Sequence, residues 1–171
     1  MKRFAKYSLP LALIALSSGI VHSEELPKVK IAWSIYVGSM PLGYAQDTGI
    51  LKKWGKKYGV DLEAVQVNDY VEGINQYTTG QFDGVITMVL DALTIPAASG
   101  VDTSMPILLS NSLGNDGLIM KGDTDLKSLK GKQINLVQFS GSHYLMTRAL
   151  DSVGLTEKDI KIVNTSDADM T

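Results

Sequence analysis

From Lys28 onward, short β-branched runs alternate with helical patterns, and most of the helices are stopped by a glycine. Val29 to Ile35 suits a strand. Pro41 to Tyr58 reads as helix broken at Gly49, with Ile50, Leu51 and Trp54 on one face and Lys52, Lys53, Lys56 and Lys57 on the other. Gly59 is a helix stop, and Leu62 to Val67 is the next strand. Asn68 or Asp69 can cap a helix over Val71, Ile74 and Thr78 that ends at Gly80. Phe82 to Met88 is a third strand, and Asp91 to Ser99 a short helix carrying Pro96 and closed by Gly100. Two further strands are expected at Ile107–Leu109 and Leu118–Met120, separated by a turn-rich stretch. After the polar link 122–125 a new unit opens: strand Gln133–Gln138, loop 139–142, helix His143–Val153, Gly154 as stop, then strand Ile160–Val163. Ser166 or Asp167 would cap a further helix. Strands alternating with helices build βαβ units, so the fold class is α/β with mostly parallel sheets.

The first residues have another logic. Lys2, Arg3 and Lys6 precede an apolar stretch from Leu9 to Val21, and Val21-His22-Ser23 places small residues at −3 and −1. That is the anatomy of a cleavable export signal, too short to span a bilayer, with cleavage after Ser23. Removing three bases and no acids makes the mature chain more acidic than its formal charge of −2. Sixteen basic against eighteen acidic residues offer no cationic excess for a phosphate backbone, which argues against nucleic-acid binding. The absence of cysteine removes disulfides, thiol catalysis and thiolate metal sites from consideration.

In open α/β sheets, ligands bind beyond the carboxyl ends of the strands, where helix N-termini also gather. That rule marks the loops 33–40, 68–70, 87–91 and 140–143. Trp33, Tyr36 and Tyr70 could wall a pocket, with Asp69 and Asp91 supplying charge. Each has a plainer alternative: Trp33 as core, Asp69 and Asp91 as helix caps. Ser140-Gly141-Ser142 presents N–H groups and hydroxyls to a polar or anionic group, and His143 suits solvent or a helix cap better than a ligand. No nucleophile elbow, dinucleotide loop, P-loop or His-rich metal pattern occurs, so neither catalysis nor a cofactor is expected.

Five segments carry a family likeness: Ala32-Trp33-Ser34-Ile35-Tyr36-Val37-Gly38, residues 68–77, Met88-Val89-Leu90-Asp91-Ala92-Leu93-Thr94-Ile95-Pro96, residues 141–145 and residues 154–169. In that order they resemble the periplasmic substrate-binding proteins of nitrate, taurine and aliphatic-sulfonate ABC transporters, the first three most closely the urea carboxylase-associated branch linked to urea and guanidine. The resemblance implies a two-lobed periplasmic-binding-protein type II fold, a periplasmic location, monomeric state and a partner ABC permease in the inner membrane. It divides the chain into a first lobe, 24–121, and the start of a second, 122–171, so that the sequence reads as an N-terminal fragment truncated within that second lobe. Carried onto this chain it puts Trp33, Tyr36, Asp69, Thr87 and Asp91 on one side of the ligand and Ser140, Ser142, His143 and Asp167 on the other. A urea- or guanidine-like ligand is the expectation. Taurine, sulfonate or nitrate is the alternative within the family, and a thiamine-pyrimidine synthesis-like enzyme, with its cysteine-rich motif, the rival outside it.

Overall fold

The computed structural model describes residues 25–114 and 116–170. The expected export signal and its cleavage site after Ser23 lie outside the described residues. Strand β1 (Lys28–Trp33) runs parallel to β2 (Asp61–Gln66) on one side and to β3 (Gly84–Val85) on the other, in the order β2-β1-β3. Helices α1 (Met40–Asp47) and α2 (Ile50–Tyr58) connect β1 to β2. They are separated where expected, at Gly49, whose φ of +74° is a conformation other residues adopt at a cost. Helix α3 (Tyr70–Thr78) connects β2 to β3, capped by Asp69, whose Oδ1 accepts the Glu72 N–H at 2.9 Å.

The third strand is shorter than its sequence pattern. Asp83 Oδ2 accepts the Lys30 N–H that would begin the ladder, and Met88 N–H turns away to the Tyr70 hydroxyl. The helix expected from Asp91 begins earlier, as α4 (Val89–Ala92), and runs into a π-helical turn, Leu93–Ala97. Pro96 lies inside that turn, where the wider winding tolerates a residue without an N–H.

The two strands expected at 107–109 and 118–120 do not form. No strand among the described residues pairs with either, and their apolar side chains do not substitute for a ladder. Ile107, Leu108 and Leu109 stay exposed, whereas Leu118 and Met120 pack onto the core of the second unit.

That second unit holds β4 (Gln133–Leu136) parallel to β5 (Lys161–Asn164), with α5 (Gly141–Ser152) between them in sequence. Leu129, Leu136, Met146 and Leu150 form its core. The last capping signal yields a single 3-10 turn, Asp167–Asp169, rather than an α-helix. A second apolar cluster joins the two units: Tyr70 and Ile74 of α3 enclose Val137, at the end of β4. Among the described residues, no helix is long and apolar enough to cross a membrane.

Candidate functional site

Helix α3, α4 and the turn after β3 meet the loop before α5 at this seam. Tyr70, the first residue of α3, is buried and lies at its centre. Its hydroxyl donates to Asp91 Oδ2 (2.6 Å), accepts the Met88 N–H (2.9 Å) and lies 3.0 Å from Thr87 Oγ1. Asp91, with 1% of its surface exposed, also accepts the backbone N–H of Gly141, the first residue of α5. A carboxylate at a helix N-terminus is favourably placed against the helix dipole. Burial nonetheless raises the Asp91 pKa, a shift that the bonds from Tyr70 and Gly141 oppose. Burial, and then the bond to Asp91, push the Tyr70 hydroxyl well above its usual range, so it stays a donor.

Asp91 is therefore neither a cap of its own helix nor a free carboxylate. It fastens one unit to the other. Ser140, also buried, donates to the Val137 carbonyl (2.7 Å) and accepts the Ser142 N–H (3.2 Å), which makes it the N-cap of α5. The Ser142 side chain is exposed.

A second tyrosine–aspartate pair crosses the same seam. Tyr36, from the loop after β1, packs edge-on against Tyr70 with centroids 5.5 Å apart. Its hydroxyl donates to Asp167 Oδ1 at 2.5 Å, and burial holds the hydroxyl far above the range where it would ionise. The other oxygen, Asp167 Oδ2, is buried with no hydrogen-bond partner. Burial raises the pKa of this carboxyl as well; the Tyr36 bond and then a bond from the residue's own backbone N–H lower it, and the nearby negative charge of Asp69 adds to the rise. A buried oxygen without a donor is costly, and the charge acting on this carboxyl is that of a second carboxylate rather than a cation.

Beside these groups is a cavity of about 120 Å³, lined by Asp69, Val71, Glu72 and Asn75 from α3 and by Gln138, Phe139 and Asn164 from the second unit. It has two carboxylates, three amides and no base. A much larger apolar groove of about 810 Å³ opens between α1 and the β2 edge, and Trp33 belongs there. Its indole lies over Gly43, where an added Cβ would come 2.5 Å from the ring. The groove has few polar groups, none of them from the second unit, so the smaller cavity is the better candidate site.

The residues marked from sequence thus separate. Tyr36, Asp69, Thr87, Asp91, Ser140 and Asp167 gather at the seam. Trp33 packs with α1. His143 serves the loop: its Nδ1 accepts the Phe139 N–H (3.1 Å), so Nε2 carries the proton, and Nε2 faces Glu157 Oε1 at 3.1 Å without the alignment of a hydrogen bond. Glu72, Asn75, Gln138, Phe139 and Asn164 were not singled out. The amides carry no sequence signal, whereas Phe139 in the polar loop before a helix cap is one that could have been noticed. Among the described residues, no group of three or more histidines or acids is placed to hold a metal ion.

No protein-family model matches the chain, and no curated protein sequence is significantly similar to it. Solved structures do share its fold. The alkanesulfonate-binding protein SsuA from Xanthomonas axonopodis pv. citri, bound to MOPS, superposes with a TM-score of 0.56 at 19% identity, covering 84% of this chain and 49% of that one. The periplasmic aliphatic sulphonate-binding protein SsuA from Escherichia coli gives 0.51 at 20%, with the same coverage. A protein from Bordetella bronchiseptica RB50 gives 0.54 at 16%, covering 84% and 46%. The chain spans about half the length of the structures it matches. The α/β fold with parallel sheets is that of periplasmic solute-binding proteins.

Proposed function

We propose that this chain forms the ligand-facing part of an extracytoplasmic solute-binding protein that delivers a small molecule to an ABC permease. The protein is a monomer exported by the signal ending at Ser23, and the boundary between its lobes falls at 121–122, so that 24–121 and 122–171 face each other across the ligand. Membership of the nitrate, taurine and aliphatic-sulfonate family fits the shared fold and the sequence resemblance. Binding rather than catalysis is the activity, in keeping with neighbours described as binding proteins.

One observation carries the reading: two units of a solute-binding fold meet at a small polar cavity lined by residues from both. For the ligand, the descriptions of the solved neighbours favour a sulfonate, with taurine and nitrate as related oxyanions, and this is the reading the comparisons support better. A second reading, a urea- or guanidine-like compound, has a specific observation in its favour. The cavity is lined by two carboxylates and three amides with no base, and the Gly141 N–H that would greet an oxyanion already holds Asp91. Planar N–H donors complement carboxylates and amide oxygens, whereas an oxyanion is repelled by them.

Titration calorimetry against taurine, nitrate, urea and guanidinium tests both readings. Heat from one of the four with saturable binding supports the solute-binding role, and which one separates the ligand classes. No saturable binding to any of them overturns the role as stated.

A further inference from the structure

We propose that Phe139 is a ligand-contacting residue that offers its ring as the flat wall of the small cavity, and that His143 is the positioning residue that holds it there. The inference rests on the urea- or guanidine-like reading and extends it to a stacking contact. Phe139 has φ = +61°, and it stands alone among the described non-glycine residues in having a positive φ. For an L-residue with a bulky side chain that conformation is strained, and glycine or asparagine would make the same turn at lower cost. What glycine would not supply is the ring.

The ring is not there to fill the core. It is 68% exposed while lining the cavity. Nor does it brace the helix start. A residue just before an N-cap packs, when it braces, against the fourth residue of the helix, here Tyr144. Phe139 instead turns an edge to His143, with centroids 5.9 Å apart. The Phe139 N–H donates to His143 Nδ1, so the histidine fixes both the backbone and the ring of the strained residue. Strain kept at an exposed position over a cavity marks a functional contact.

The cavity dictates what lies against that wall. A cavity of about 120 Å³ has room for a small ligand of several heavy atoms. A planar centre bearing nitrogens, such as guanidinium or urea, has that size. Its face would lie on Phe139 and its N–H edges would reach the Asp69 and Glu72 carboxylates and the amides of Asn75 and Asn164.

The test uses the full chain and three probes: guanidinium chloride well below denaturing concentration with sodium chloride as control, urea likewise, and taurine. Wild type is expected to bind guanidinium or urea. Phe139→Gly should leave the ligand-free melting temperature unchanged or raised while weakening that binding about tenfold or more. His143→Leu should weaken it as well, His143→Asn, which keeps an acceptor, should restore part of the loss, and His143→Leu should add nothing in the Phe139→Gly background.

Guanidinium or urea binding that is equal in wild type and Phe139→Gly overturns the role of Phe139 and leaves the ligand reading intact. Loss of stability in Phe139→Gly in proportion to loss of binding assigns Phe139 to the scaffold and also overturns it. Wild type that binds taurine alone, or none of the three, overturns the ligand reading and the stacking contact together.

Discussion

The two tyrosine–aspartate pairs at the seam look alike and do different work. Tyr70–Asp91 is closed: the carboxylate is buried and takes bonds from the Tyr70 hydroxyl and the Gly141 N–H. Tyr36–Asp167 is open: one oxygen is bonded at 2.5 Å and the other is buried with no donor. A satisfied network holds a fold together, and an unsatisfied one costs stability unless something completes it. The same two residue types therefore make a fastening in one place and leave an acceptor open in the other.

Breaking the closed pair should have the largest effect. Asp91→Ala would leave the Tyr70 hydroxyl and the Gly141 N–H without their acceptor, at a cost of about 2–4 kcal/mol. The melting temperature should fall accordingly. A loss under about 1 kcal/mol would mean that the two donors find other partners.

Tyr36→Phe breaks the open pair and should cost less than Asp91→Ala, about 1 kcal/mol, because the residue is part-exposed and its hydroxyl makes one bond. Measured by the same unfolding experiment, a cost equal to that of Asp91→Ala would erase the distinction between the pairs.

The pH dependence sharpens the comparison further. Burial raises the Asp91 pKa in the folded state, so the folded chain takes up this proton more readily than the unfolded one. Its contribution to stability is fully present below the unfolded carboxyl range and is lost as pH rises through the raised folded value. Wild type should therefore gain on Asp91→Asn as pH falls from about 7 to about 4.5. Paired thermal unfolding at the two values measures this, and a constant difference would remove burial as the cause.

Asp167→Asn should be nearly neutral for stability, within about 0.5 kcal/mol, because it removes both an uncompensated carboxylate and its repulsion with Asp69. A marked loss of ligand affinity is expected alongside, and calorimetry on the variant would show whether the open oxygen serves the ligand.

How much of this was legible depends on whether the signal was local. Gly49, the Asp69 cap, Ser140 and Gly154 each set the end of an element through their own backbone or a neighbour within three residues, and those boundaries came out within a residue or two of expectation. The strands at 107–109 and 118–120 have the right residues but need a partner strand, which a local pattern does not reveal. The same limit applies to the site. Asp69 was read as a cap or as charge; the cap is local and formed as expected, while its place at the cavity depends on the second unit. Asp91 was read as ligand contact or cap, and its partners, Tyr70 and Gly141, lie 21 and 50 positions away in the chain.

Trp33 and Gly43 occupy one volume between them. The indole fills the space in which any side chain at 43 would begin, and α1 comes that much nearer the sheet. Neither position can change freely while the other stays the same. In homologous chains the two should vary as a couple, a smaller residue at 33 licensing an alanine at 43, and the history of one would be written in the other.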